Sequence, residues 1–470
     1  MAVSRGKLSR REALRMAGVG GGALAATTVS SVTPAEASPA GARFTDPAGR
    51  PRRPWWVKTV DVPTVEIDWN KTERFNERYD PKTGKGTVRG GGLPARIGAD
   101  AARALVKAGQ DKAKQDALNH VPGRSLRDLA LWGAHSTRPP QTFLGNPKVL
   151  TPDDRGIPKW TGTPEEAAKM LRVVMRHLGV ATVGFVKLDQ NTRKLIYSVD
   201  PDGKELIFAD VDAPLESETQ RTIPTSYGFV MVWTLRMSEE TFKRAPSPIA
   251  AQTTHLIYAQ NSLVQNQIQD FLRGIGYQGL GEASFNALGV APAFAVLAGL
   301  GELSRLNRLI TPEFGPLVRV YKMIINLPVA VDKPIDAGIM EFCKHCKKCA
   351  QSCPVGALSF ADEPTWEVKG TWNNPGHKAY FDDGVKCMSH WRALATNCGI
   401  CFAACPFAKK DRAWIHELVK AGVASAPQLD GLFRRMDDAF GYGVEKDQEL
   451  WWDLDLPEFG RDSTTPVKGR

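Results

Sequence analysis

A chain of 470 residues with 42% apolar residues and 32 prolines can hold one large or two to three ordinary globular domains, and is too apolar to stay disordered. Its formal charge of +10 is spread over 61 basic and 51 acidic residues. The only Lys/Arg concentrations are in the first residues and the short Arg50-Pro51-Arg52-Arg53, so nucleic-acid binding has little support. No uninterrupted apolar run approaches the ~18 residues of a membrane span.

The first residues read as an address rather than as fold. Ser9-Arg10-Arg11-Glu12-Ala13-Leu14-Arg15 carries an arginine pair, a mild Gly/Ala-rich run extends from Met16 to Val32, and Ala35-Glu36-Ala37 is a small-residue cleavage site. The segment 1–37 resembles a twin-arginine export signal. Its apolar run is too short and weak for a stable anchor, and cleavage after Ala37 would leave 433 residues with a net charge of about +7. The competing reading is a ragged basic terminus of a cytoplasmic protein.

Residues 38–95 are rich in Pro, Gly and charge, with Trp55, Trp56 and Trp69 scattered through them. They predict an extended segment wrapping a larger body, with the tryptophans as anchors; together with two helices, at 96–109 (stopped by Gly109) and 123–134, they form an N-terminal region 38–160. A clearer unit begins at Thr163-Pro164-Glu165-Glu166: a capping threonine, a proline suited to the first helical position, and two acids at the positive end. Ala167, Leu171, Val174, Met175 and Leu178 then form a 3.6-residue stripe that Gly179 ends. Strands follow at 181–188, 206–208 and 228–234, so the body at 161–330 is mixed α/β. A long helix is predicted from about Ala250 to Arg273, burying Ile257, Val264, Ile268, Phe271 and Leu272, with Tyr258 off that stripe as a flank residue. The dense glycines from Gly274 to Gly301 punctuate short elements, but form neither a dinucleotide nor a Walker A fingerprint.

All eight cysteines fall in two runs. Cys343-x2-Cys346-x2-Cys349-x3-Cys353-Pro354 is the bacterial ferredoxin pattern, and Cys387-x10-Cys398-x2-Cys401-x3-Cys405-Pro406 is a stretched version of it. Two-residue gaps gather three thiolates around one cluster, while the x3 step and the proline turn the fourth thiolate toward another. Crossed ligation assigns Cys343, Cys346, Cys349 and Cys405 to one [4Fe-4S] cluster, and Cys387, Cys398, Cys401 and Cys353 to the second. The alternative, two four-cysteine zinc sites, normally shows separated C-x2-C pairs, which neither run does. Between the runs, residues 356–395 carry many aromatics and few regular patterns, which need a cluster or a large flat ligand to pack on. A short amphipathic helix is predicted at 412–420, closing a cluster domain at 331–425. The tail 426–470, with Trp451-Trp452-Asp453, reads as a docking clamp.

A two-cluster ferredoxin needs only about 60 residues, and some 300 others precede Cys343 once the leader is removed, so a catalytic body fed by the clusters is expected. The stretches Leu272–Val320, Leu327–Leu358, Pro364–Cys387 and Cys398–Lys410 carry a resemblance. They resemble the corrinoid-dependent reductive dehalogenases of organohalide-respiring bacteria, along nearly the whole chain. The resemblance implies a nitroreductase-like, cobalamin-binding α/β (α+β) core followed by a bacterial ferredoxin-like two-cluster domain. It also implies a base-off cobalt corrinoid and a small organohalide substrate, a carbon-bound halogen being replaced by hydrogen at the end of anaerobic organohalide respiration. The family's partners would be a small integral-membrane anchor protein and a quinone-linked electron donor, with the enzyme peripheral on the outer face of the cytoplasmic membrane.

Carried onto this sequence, the family's catalytic tyrosine matches Tyr258, with Tyr227 and Tyr277 as alternatives. Its active-site asparagine matches Asn286, and its cation matches Arg319, with Arg305 as the rival. Ile325-Asn326 and Ala337 depart from the usual motifs without removing a catalytic group. The chemistry agrees: a phenol with an ordinary pKa near ~10 stays protonated as a proton store, and a fixed guanidinium favours its phenolate afterwards. Two other functions compete. One is a cytoplasmic corrinoid iron–sulfur reductase of a modified tRNA base, which would want a basic groove and no export leader. The other is a non-catalytic electron-transfer protein, which would hold iron but no cobalt.

Overall fold

The computed structural model describes residues 53–89, 91–134, 138–409 and 414–460. The segment 1–37, expected to be an export signal, lies outside them, with most of the Arg50–Arg53 cluster and the start of the helix predicted at 412.

The core is built on a four-stranded antiparallel sheet. Thr182–Lys187 pairs with Phe229–Arg236, which pairs with Val318–Ile325, which in turn holds the short Gly279–Leu280 at the edge. Period-2 alternation divides its side chains between two cores. Val183, Phe185, Met231, Trp233, Leu235, Tyr321, Met323 and Ile325 face the helices Pro164–His177 and Pro248–Gly274. Val186, Val230, Val232, Val318 and Ile324 face the helix Ala291–Leu297 on the other side. The result is helix, sheet and helix in layers, the mixed α/β body that the sequence predicts.

Local chemistry sets the ends of these elements. Thr163 and Glu166 form a capping box at the start of Pro164–His177, and Gly179 leaves it at φ 88°. Ser247 caps the long helix by accepting from the Ala250 N–H at 3.2 Å. That helix is buried on more than the predicted stripe: Asn261, Ser262 and Gln265 are fully enclosed too. Gln265 and Gln269 donate to the Glu282 and Gly279 carbonyls, at 2.9 and 3.0 Å, which hold the edge strand.

Three elements differ from expectation. Gly109 does not end a helix; it lies inside Ala99–Leu118, where a Cβ would stand 2.1 Å from the Arg392 carbonyl oxygen. Its role is close approach to the helix Gly384–Leu394, an element the aromatic-rich 356–395 stretch does not announce. The strand Val318–Ile325 is likewise unpredicted, because Arg319 and Lys322 interrupt its apolar run. Lys322 is fully buried and ion-paired with the buried Glu282.

The segment before Arg89 runs over both regions. Lys58–Thr59 pairs with Ile335–Asp336, Ile67 bridges His377, and Asn76 bridges Val199. Of its tryptophans, Trp56 is buried, Trp69 half-buried and Trp55 exposed. Glu302, almost wholly buried, accepts from the Ala337, Ile339 and Met340 N–H groups at 2.7, 3.1 and 3.3 Å. It thereby satisfies otherwise orphaned donors at the start of Ile339–Cys346, the helix that carries Cys343 and Cys346. In the tail, Trp451 donates to Thr241 Oγ1 at 3.2 Å and Trp452 to Asp128 Oδ1 at 2.9 Å. Among the described residues no helix is long and apolar enough to cross a membrane.

Candidate active site

The long helix places Thr254 and Tyr258 one turn apart on the same face. Opposite them, the alternation of Val318–Ile325 puts Arg319 and Tyr321 on the side of the sheet that the helix covers. Arg319 Nη2 donates to Thr254 Oγ1 at 3.4 Å, and its Cζ stands 5.5 Å from the centre of the Tyr258 ring. Tyr321 meets the same ring edge-on at 6.2 Å and donates to the Ile257 carbonyl at 3.3 Å. Asn286 completes the group from the loop after Gly279–Leu280; at φ 57° it occupies a left-handed conformation that asparagine tolerates better than most residues. The Tyr258 hydroxyl donates to Asn286 Oδ1 at 3.4 Å. The structure thus brings Tyr258, Arg319 and Asn286 together.

The alternatives are placed elsewhere. Tyr227 donates to Gln278 Oε1 at 2.9 Å, and Tyr277 to the Trp160 carbonyl at 3.1 Å. Arg305 is 1% exposed, and its guanidinium is spent on backbone carbonyls of Cys343, Ser359 and Ala361 at 2.8, 2.8 and 2.7 Å. Its position makes it a clamp on the first cysteine loop. Asn326 accepts from the Gln278 N–H at 2.7 Å, and Ala337 is fully buried beside Glu302, so neither departure enters the site.

Tyr258, Asn286 and Arg319 line one cavity of about 480 Å³, and Cys353, Cys387, Cys398 and Cys401 line it as well. Its walls are largely apolar and aromatic, including Phe242, Val290, Leu306, Trp372 and Trp391. Three buried polar atoms of its lining have no hydrogen-bond partner: Arg319 Nε, Asn374 Oδ1 and His390 Nε2. His377, also in the wall, has its pKa lowered by burial to about 4 and stands neutral near pH 7. Burial and neighbouring thiols push both Cys405 and Cys401 well above the ordinary thiol range: Cys405 is influenced by Cys343, Cys349 and Cys346, and Cys401 by Cys349 first and then by Cys398, Cys387 and Cys353, so the two groups of thiols adjoin at Cys349 and Cys401.

Two residues of the site have no sequence signal, because they come from the irregular N-terminal segment. Glu77 is buried and hydrogen-bonded to Tyr197; burial raises its carboxyl to about 7 against the pull of Arg89 and Lys322. Arg89 lies 5.0 Å from the Trp391 ring centre in a cation–π contact and hydrogen-bonds the Tyr258 side chain. Burial pushes the Tyr258 phenol up, but Arg319 and Arg89 outweigh it and leave the pKa below the ordinary value. The phenol is therefore more acidic than an ordinary tyrosine.

The family model described as the reductive dehalogenase subunit matches residues 130–214 and 200–329, and a 4Fe-4S double cluster binding domain matches 342–408. Over residues 130–329 the chain is similar to the reductive dehalogenase family, and the double-cluster match follows it directly in the sequence. It is 35% identical over 321 residues to the tetrachloroethene reductive dehalogenase of Sulfurospirillum multivorans, covering 65% of this chain and 63% of that one. It is 29% identical to the trichloroethene reductive dehalogenase of Dehalococcoides mccartyi, over 86% of each chain. Among solved structures, the one titled as suggesting a mechanism for B12-dependent dehalogenation shares the fold at 20% identity and a TM-score of 0.57, over 85% of this chain and 51% of its own. This chain thus spans about two thirds of the first relative and about half of the solved dehalogenase. An epoxyqueuosine reductase of Listeria monocytogenes aligns with only 27% of the chain, at 28% identity.

Proposed function

We propose that the chain is a reductive dehalogenase. It replaces a carbon-bound halogen, chlorine in the first instance, by hydrogen, with electrons delivered through two [4Fe-4S] clusters to a cobalt corrinoid. The observation that carries this reading is the shared cavity: a tyrosine flanked by two guanidiniums at one place, and four clustered thiols at another. Cys343, Cys346, Cys349 and Cys405 would hold the outer cluster. Cys353, Cys387, Cys398 and Cys401 would hold the one that borders the cavity.

The lining fits a corrinoid, whose apolar faces and peripheral amides need both aromatic walls and hydrogen-bond partners. Trp372, Trp391 and Val290 supply the walls, and the unpartnered Asn374 Oδ1 and His390 Nε2 are matched to amide groups. When bound, the corrinoid supplies a strongly reducing metal centre in place of any protein group able to break the carbon–halogen bond. The rest belongs to the chain. Tyr258 gives its proton to the carbon that loses halide, Arg319 favours the resulting phenolate, and Asn286 fixes the hydroxyl and one side of the substrate. The apolar wall admits a neutral organohalide and keeps bulk water from quenching low-potential electrons.

Export through the twin-arginine leader places this reaction outside the cytoplasm. Attachment to the membrane then falls to a small integral-membrane partner, and electrons to a quinone-linked donor. The epoxyqueuosine-type reading is supported by neither the short alignment nor a basic groove.

The test is Tyr258→Phe in anaerobically prepared enzyme, assayed with reduced viologen against chloroethenes, chloroalkanes and haloaromatics. With cobalt and iron contents unchanged, turnover should fall by about 10²–10⁴-fold, the usual scale for removing a positioned acid. Turnover at the parent rate by the fully loaded variant rejects Tyr258 as donor.

A further inference from the structure

Charge bookkeeping in the cavity points beyond the proton donor, and rests on the reading just given. Reductive dehalogenation takes a neutral organohalide, two electrons and one proton, and yields a neutral hydrocarbon product and a halide anion. If the proton comes from Tyr258, the cavity holds two anions at the end of the step, the phenolate and the halide. It also contains two guanidiniums, on Arg319 and Arg89, that both reach the Tyr258 side chain.

Among the described residues neither guanidinium forms a salt bridge, although Arg89 acts on the nearby Glu77 carboxyl. Among the described residues, no carboxylate stands within salt-bridge distance of Arg319, whose polar contact is the Thr254 hydroxyl at 3.4 Å. Its buried Nε–H has no acceptor at all. Arg89 rests on the Trp391 face instead of on an acid, and Glu77, the carboxyl in its neighbourhood, is engaged with Tyr197. A neutral substrate gives no reason to keep two unpaired cations in an apolar cavity, where an uncompensated charge is costly. An anion made there does. The charge-assisted N–H groups of two arginines are stronger than neutral donors, and both arginines reach the Tyr258 side chain.

We propose that Arg89 and Arg319 form a halide site, which takes the departing anion. Arg319 is shared with the phenolate. Arg89, which comes from the N-terminal segment and crosses to the helix bearing Cys387, is the residue given over to the halide.

The probe is bromide on the corrinoid-loaded holoenzyme. Added bromide should inhibit turnover, quench tryptophan fluorescence through Trp391, and give an anomalous diffraction peak between the two guanidiniums. Arg89→Gln should weaken bromide inhibition by roughly 10–100-fold, the scale of losing a hydrogen bond to a charged group. Arg89→Lys, which keeps the charge, should recover part of it. Unchanged bromide inhibition in Arg89→Gln overturns the proposal. So does a loss of corrinoid from that variant with bromide affinity intact, which would mean that the guanidinium holds the cofactor's own phosphate. Tyr258→Phe separates the two readings: it should still bind bromide at the same place, whatever it does to turnover.

Discussion

Replacing Arg319 by Gln removes a unit charge 5.5 Å from the centre of the Tyr258 ring and leaves a similar side chain in its place. At the effective dielectric of about 20 that suits protein sites, opposite charges at that separation attract by about 3 kcal/mol. Tyr258 is 7% exposed, so solvent screens little of this. The attraction acts on the phenolate and not on the phenol, so it lowers the barrier to proton donation without tightening substrate binding. A barrier raised by about 3 kcal/mol slows the step by about 10²-fold. Turnover and kcat/KM should therefore fall together, with KM little changed. Steady-state kinetics with reduced viologen, on protein shown to carry its cobalt and iron, would measure this. Arg319→Lys should fall between the two, because it retains charge but loses the fork that reaches Thr254. If loaded Arg319→Gln turns over within about 3-fold of the parent, Coulombic support of a phenolate is not what this arginine does.

Other outcomes follow from the same geometry. Cys353→Ala should damage the cluster that shares its thiols with Cys387, Cys398 and Cys401, leaving the signal of the Cys343 group; electron paramagnetic resonance of the reduced protein distinguishes the two, and loss of the first cluster alone would contradict crossed ligation. Because Tyr258 must be protonated to donate and its pKa is held below the ordinary phenol value, activity should fall as pH rises through that lowered pKa. Arg319→Gln or Arg89→Gln should move this alkaline limb to higher pH. Gly109→Val puts side-chain atoms where a Cβ alone would meet the Arg392 carbonyl at 2.1 Å, and should cost about 1–3 kcal/mol, read as a lowered Tm with the catalytic constants unchanged.

How far the site could be read from sequence depends on what enforces each residue. The cysteines were legible because cluster ligation acts through short spacings that survive in the linear chain. The capped helix Pro164–His177 was legible because Thr163, Pro164 and Glu166 act within one turn. The strand Val318–Ile325 was not: alternation fails at Lys322, whose charge is balanced by Glu282, forty residues earlier and visible only once the sheet is formed. Gly109 misled for a related reason, since it answers to a backbone nearly three hundred residues away instead of to its own helix.

Tyr258 shows the same limit at the centre of the site. Amphipathic spacing leaves it at the flank of a helix, which ordinarily means packing beside solvent. Here the helix is covered by the sheet on one side and borders the cavity on another, so the flank is interior and the hydroxyl meets Asn286, Arg319 and Arg89. Resemblance to a family supplied Asn286 and Arg319, which local pattern alone would not. Arg89 and Glu77 came from neither source, because their segment has no periodicity and its partners are set by the wrap of the chain over the core. That wrap has a chemical consequence. It brings a second cation to a core that already carries Arg319 on its sheet, and Arg89 meets the Tyr258 side chain and the Trp391 face together.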